Sequence, residues 1–599
     1  MDKKYGFLFL AMLAPTVLSG CSSEKVDEEA EEEENAGEIQ LHILNVEDYI
    51  AEDEEDEDTH EITYGVETLF EAYCKDVLGK DVNVVYETTD TPETMLMLLQ
   101  TGKYYDLICP SDYMIQRMGR EGLIEPLDLS LVSTEKEFEY KDEDEVVFEF
   151  STGDVDNYTN YSSRRVREYL DNCFLDQKCY EGKDAEYIAS HPLAIGYMWG
   201  TLGILFNPTY GTFEEEDTIS DMQSWDAFWN ETYKNKSSVK DSMRDTFAVG
   251  VIHKYYEDFE LNGVSKKGFK SLMTDYREGN LTAEEYNAEI DKIFNMDENY
   301  VGNKKDVIYN VLDDLHELKK NIRGLEVDTG KNDIVNGYIG VNCAWSGDAV
   351  YSMEQAEEEK ELELYYSIPN TGSNLWMDAW CMPKSSLRSE AQKELAELFL
   401  DFLSIPEYTA QNMDYTGYTP FTAGNEILDL TREWYDYRYD EETEEFDDTI
   451  PTEEEIAELG LQRVDLSYFF EGTLTDEDGN VIDDPDAYIF YSDCYLPYAE
   501  VDKEGNVKNG NRAVGREFFC QFPDEYTLTR CAVMRDFGPQ NEAVLKMWEK
   551  FKSDALPVWA IVLFIVEVSA ALALVLYFVI GKRMKYSLRK KRKEEQNKK

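Results

Sequence analysis

Between residues 39 and 120 the chain alternates strand-like and helix-like segments, and this order constrains the fold more than any other feature of the sequence. Ile39-Gln-Leu-His-Ile-Leu-Asn reads as a strand, and residues 61–78 carry helix-spaced apolar side chains with Gly79 as the stop. Residues 81–87 read as a second strand and 92–100 as a helix opened by Pro92. Residues 104–109 read as a third strand and 113–120 as a helix. Strand–helix–strand repetition predicts a parallel sheet with helices on both faces. Ligands of such sheets bind at the carboxyl ends of the strands. Those ends here are Asn45-Val46-Glu47-Asp48-Tyr49 and Pro110-Ser111-Asp112-Tyr113.

A second informative stretch covers residues 338–383. Its apolar run 338–344 reads as a buried strand ending in Trp345-Ser-Gly-Asp, and thirty residues on comes Trp376-Met-Asp378. In an extended segment Trp376 and Asp378 share one face. A flat aromatic beside a carboxylate suits an organic ammonium group, which needs a π face for its alkyl part and an acceptor for its N–H groups. The same residues also read as two core tryptophans and a turn aspartate, and both readings are open on these residues alone.

The net charge of −69 excludes nucleic acid as a partner. The basic tail 581–599 has the opposite sign, so the body before it is more acidic still. Such a body raises the local concentration of cationic solutes, although salt screens the effect beyond about 8–10 Å. Residues 24–38 have little to bury and read as a tether. The first twenty residues have a basic start and a short apolar run, and Leu18-Ser-Gly-Cys21 resembles the lipobox of bacterial lipoproteins. That resemblance implies a signal peptide over 1–20 and lipidation of Cys21. Residues 557–580 form an apolar run of bilayer length followed at once by Lys582, Arg583 and Lys585, so a transmembrane helix with a cytoplasmic tail is expected. Apart from Cys21, nine cysteines remain, an odd number. Cys74, Cys109, Cys343 and Cys381 read as small buried hydrophobes. Cys173 with Cys179, or Cys494, Cys520 and Cys531 among themselves, are candidates for disulfides. No spacing suits zinc, and Asp476-Glu-Asp-Gly-Asn lacks the twelve-residue ligand pattern of a calcium loop.

Seven or more blocks, in order, carry a family resemblance. They are Leu44-Asn-Val-Glu-Asp-Tyr-Ile50, Tyr105-Asp-Leu-Ile-Cys-Pro-Ser-Asp-Tyr113, Met118-Gly-Arg-Glu-Gly-Leu-Ile, the segment from His191, Ser224-Trp-Asp-Ala-Phe-Trp, Asp241-Ser-Met-Arg-Asp245, the Trp345 segment, Trp376-Met-Asp378, Gly417-Tyr418-Thr-Pro and finally Gln540-Asn541. Together they resemble the bacterial spermidine/putrescine-binding proteins, the substrate-binding lipoproteins of polyamine ABC transporters. The resemblance implies an α/β, two-lobed periplasmic-binding-protein-like type II fold with the ligand cleft between the lobes. On that pattern lobe 1 takes residues 39–195 and 378–430, and lobe 2 takes 196–377 and the C-terminal helix 534–556. Residues 129–187, part of 255–330, and 431–533 fall outside it as acidic insertions.

Carried over residue by residue, the resemblance implies a ligand-binding aromatic box of Tyr49, Ser111, Tyr113, Trp345, Trp376, Asp378, Tyr418 and Gln540, with Asp48 and Asp245 as further carboxylates. Two departures bear on the ligand: Val46 stands where the family usually has tryptophan, and Ser242 aligns with a family carboxylate while Asp241 lies one place away. The implied function is an extracellular, membrane-anchored solute-binding component of an ABC importer, with a polyamine ligand and with permease and ATPase subunits on other chains. This chain has no Gly-x-x-x-x-Gly-Lys-Ser/Thr loop. It also presents no nucleophile motif or acid/base pair, so neither catalysis nor a cofactor is expected. The alternatives are a binding protein for another cationic small molecule, such as thiamine or a metal ion, and a surface protein whose insertions bind a partner.

Overall fold

Strand β1 (Ile39–Val46) buries Leu41, Ile43 and Leu44 because it lies in the middle of a parallel sheet. Strand β2 (Val82–Thr89) pairs with it from Ile39↔Val82 to Val46↔Thr89, and β3 (Leu107–Ile108) pairs on its other side, giving the order β2-β1-β3. The intervening helices are α1 (Val66–Asp76) and α2 (Pro92–Gln100), with α3 (Asp112–Glu121) following β3. Helix α1 buries Val66, Leu69, Phe70 and Tyr73 on one stripe. The Thr91 side chain caps α2 ahead of Pro92, and α3 stops at Gly122, whose φ of 73° suits glycine. The computed structural model describes residues 38–553 apart from 48, 56–61, 129–137, 143–144, 151–155, 441–442, 444, 477–478, 483 and 494–512.

The organising element of the remainder is β4 (Ile195–Phe206), twelve residues that are all buried. It pairs with later strands along its whole length. Its sheet comprises β5 (Ser237–Lys240), β6 (Gly324–Glu326), β7 (Val341–Trp345), β8 (Tyr365–Ser367), β9 (Leu375–Trp380), β10 (Thr419–Pro420) and β11 (Val514–Gly515), in the order β6-β5-β7-β4-β8-β11, with β9 and β10 also on β4. The C-terminal half of β4 lies between β7 and β8, and its N-terminal half meets β9 and β10. As a result β4 contributes to three separate cores. Ile195, Tyr197 and Met198 join the core of β1, Leu202, Ile204 and Phe206 join a second core, and Trp199 and Leu205 join a third.

Helix α4 (Asp245–Lys254) follows β5, and α5 (Ser346–Lys360) follows β7 directly, with Trp345 as its N-cap residue. The region 431–533 does not stay at the surface: it supplies β11 to the edge of the large sheet and packs the helix Glu517–Gln521 against α5. Asp476 and Asn480 are joined by a backbone hydrogen bond, with Gly479 at φ 78°.

Several expectations are corrected or fall elsewhere. Cys173 and Cys179 are free thiols, so the bridge between them does not form, and Cys531 is a free thiol as well. Cys173 closes α-helix Arg164–Asn172 with its thiol on the Tyr169 carbonyl, while Cys179 belongs to a separate short turn. Among the described residues no helix is long and apolar enough to cross a membrane. The run 557–580, the basic tail, Cys21 with its leader and tether up to residue 37, Asp48 and Cys494 lie outside the described residues.

Candidate functional site

Alternation along β9 sets Trp376 and Asp378 on one half-buried face while Leu375, Met377 and Ala379 are buried on the other. The ladder with β4 shifts register between Asp378 and Ala379, and Asp378 bridges to Ser111, the N-cap residue of α3. Such an irregularity re-aims a side chain. The Asp378 carboxylate accepts the Tyr49 hydroxyl at 2.8 Å. Burial raises its pKa, the Ser111 and Tyr49 hydroxyls draw it down and Asp245 pushes it up again, for a result of about 6. Its Oδ1 atom and the Trp376 Nε1 are both sealed from water with no hydrogen-bond partner among the described residues.

The aromatic rings form a connected wall. Tyr418 meets Tyr49 edge-on at 5.6 Å and Trp376 edge-on at 5.4 Å. Two glycines make room for it. A Cβ on Gly200 of β4 would lie 2.6 Å from Trp376 Cζ2, and one on Gly347 would lie 2.5 Å from the Tyr418 ring. Tyr418 is braced from behind by the 431–533 region, where Gln521 donates to the Gly417 carbonyl at 2.9 Å and accepts from Thr419 on its own carbonyl at 2.7 Å.

Tyr418 leads to a charged cluster. Its hydroxyl donates to Asp348 Oδ1 at 3.0 Å, and Asp348 Oδ2 accepts Lys240 Nζ at 2.9 Å. Lys240, the last residue of β5, also pairs with Glu326 at 3.2 Å and sits 4.1 Å from the Trp345 ring centroid. Burial alone would lower the Lys240 ammonium, but Asp348 and Glu326 outweigh it and hold it above the ordinary lysine value. At the other side Arg244 lies 3.8 Å over the Tyr113 ring, whose hydroxyl donates to Glu93 at 2.9 Å. The adjoining Asp112 accepts the Met377 amide at 3.0 Å; burial lifts its pKa, with Arg244 opposing, to about 7.

The structure therefore brings Tyr49, Ser111, Tyr113, Trp345, Trp376, Asp378 and Tyr418 into one network. Asp245 opens α4 and exerts its charge on Asp378 and Tyr113. Gln540 is the outlier. It precedes the helix Asn541–Lys552, and among the described residues no hydrogen bond joins its side chain to the network. Its link is indirect, through Phe537, whose ring lies 5.4 Å from Arg244. Asp241, the neighbour of the departing Ser242, has its carboxylate held by Lys552 at 2.6–2.7 Å, and the Ser242 hydroxyl instead caps the amides of Arg244 and Asp245. Sequence reasoning missed Lys240, Glu326 and Asp348. The one signal for them was a lysine ending the otherwise uncharged strand Ser-Ser-Val-Lys, in a chain with twice as many acids as bases.

The profile of bacterial extracellular solute-binding proteins matches residues 68–426. The spermidine/putrescine-binding periplasmic protein of Salmonella typhimurium is 21% identical over 363 residues, 60% of this chain and 76% of that protein. The putrescine-binding periplasmic protein PotF of Escherichia coli is 24% identical over 386 residues, 63% and 76% of the two chains. Among solved structures, the spermidine/putrescine ABC transporter substrate-binding protein PotD from Streptococcus pneumoniae gives a TM-score of 0.39 at 22% identity, covering 64% of this chain and 83% of that one. These relatives are solute-binding transport proteins and not enzymes. With more than half its length matched, the chain belongs to the bacterial extracellular solute-binding protein family.

Proposed function

We propose that this chain captures small organic polyamine cations of the spermidine and putrescine class outside the cytoplasm and delivers them to an ATP-driven importer whose permease and ATPase are separate chains. In this reading the cleft lies between a lobe of residues 39–195 and 378–430 and a lobe of 196–377 and 534–556. Cys21 and the run 557–580 would hold the domain at the membrane.

One observation carries the ligand class: a carboxylate oxygen, Asp378 Oδ1, buried with no hydrogen-bond donor among the described residues, on the same strand face as Trp376 and one tyrosine away from Tyr418. An orphaned buried acceptor costs about 1–3 kcal/mol, which an ammonium N–H would recover. The neighbouring indole and phenol faces would take the methylenes and spread charge, each cation–π contact contributing about 0.5–2 kcal/mol. The names of the relatives support the same class.

Isothermal titration of the full-length chain with putrescine and spermidine tests the reading. Asp378→Asn is expected to weaken binding by about 1.5–3 kcal/mol, roughly ten- to hundredfold. An unchanged dissociation constant removes Asp378 from the site.

A further inference from the structure

We propose that Lys240 is a resident ammonium that fills the Trp345 end of the cleft, so that the site selects a short diamine over a longer triamine. The inference rests on the cationic-amine reading of the Asp378 cleft and adds ligand length to it. Lys240 is fully buried, and its ammonium already makes the contacts that a ligand ammonium would seek. It lies 4.1 Å from the Trp345 ring centroid, 2.9 Å from Asp348 Oδ2, 3.2 Å from Glu326 Oε1 and 2.9 Å from the Val327 carbonyl. The Lys240 ammonium donates hydrogen bonds to Asp348 Oδ2 and the Val327 carbonyl and pairs with Glu326 by charge.

Asp348 at this end is occupied as well. Asp348 gives Oδ2 to Lys240 and Oδ1 to the Tyr418 hydroxyl, so neither oxygen is open to a ligand. Opposite, Arg244 covers the Tyr113 ring, placing a second resident cation 3.8 Å from an aromatic face. Trp376 and Asp378 belong to the same network, and their Nε1 and Oδ1 have no hydrogen-bond partner among the described residues, as is also true of Asp112 Oδ1 and Glu326 Oε1. A third ligand ammonium directed towards Trp345 would meet Lys240, a like charge in a water-poor site, beside two carboxylates already paired with it. Substituting Lys240 by an apolar residue of similar length reverses the situation. Asp348 and Glu326 would then be left without their cation, and a triamine could supply it.

Titration calorimetry of the full-length chain, wild type and Lys240→Met, against putrescine and spermidine provides the test. The wild type is expected to bind putrescine more tightly. In Lys240→Met the preference shifts towards spermidine by about tenfold or more, the size of one charge-assisted hydrogen bond. A folded Lys240→Met with an unchanged ratio overturns the assignment and leaves the cleft reading intact. A wild type that prefers spermidine overturns it too, and this arm decides the matter even when the variant does not fold. A wild type that binds neither amine overturns both readings.

Discussion

Asp378 and the glycines around it are where single atoms decide what the cleft does. Its pKa of about 6 lies above the ordinary aspartate value because burial disfavours the charged form. In the ligand-free protein this group therefore contributes stability that is fully present below pH 3.8 and is lost as pH rises through about 6. An amine offsets that loss, because it pairs with the ionised form. The thermal shift produced by putrescine is accordingly expected to be larger at pH 7.5 than at pH 5, and equal shifts at the two values would exclude Asp378 as the counter-charge. Sterics act beside this charge. A Cβ on Gly200 would lie 2.3 Å from Ser346 Oγ as well as against Trp376, so Gly200→Ala is expected to cost about 1–3 kcal/mol of stability in chemical denaturation and to weaken ligand binding. A variant as stable as the wild type would show that Trp376 can give way.

At the scale of elements, the strands and helices before residue 120 were legible because their apolar periodicity is local. The predicted helix 92–100 is α2, bounds included, and the predicted strand 81–87 is β2 apart from its ends. The third strand was read over 104–109 but forms a ladder only at Leu107–Ile108. The His42 amide bonds the Asp106 carboxylate instead of a backbone carbonyl, and Arg388, 282 residues further on, clamps that carboxylate. No local pattern records a partner so distant. The same holds for Lys240 and Asp348, 108 residues apart, whereas Trp376 and Asp378 were found because two positions on one strand share a face. The brace behind Tyr418 is another long-range product. Gln521→Ala removes its hydrogen bonds to the Gly417 carbonyl and to the Tyr435 hydroxyl. Denaturation should register about 1–3 kcal/mol for it, with a weaker amine affinity in calorimetry. Full affinity in that variant would mean that Tyr418 needs no support from the Gln521 side chain.

For the whole molecule, the net charge of −69 acts on encounter more than on fit. A strongly anionic body steers cations inward, and salt screens that field beyond about 8 Å at physiological ionic strength. Stopped-flow tryptophan fluorescence should show the association rate of putrescine falling as salt is raised, while dissociation, set by short buried contacts, changes little. A salt-independent association rate would assign the acidity to solubility alone. Strand β4, shared by three cores and buried from end to end, has a different consequence for the molecule as a whole. Water reaches such amides only when all the surrounding layers come apart together. In hydrogen–deuterium exchange β4 would be the last segment to lose its protons, and the free energy of its exchange would report the global stability of the protein.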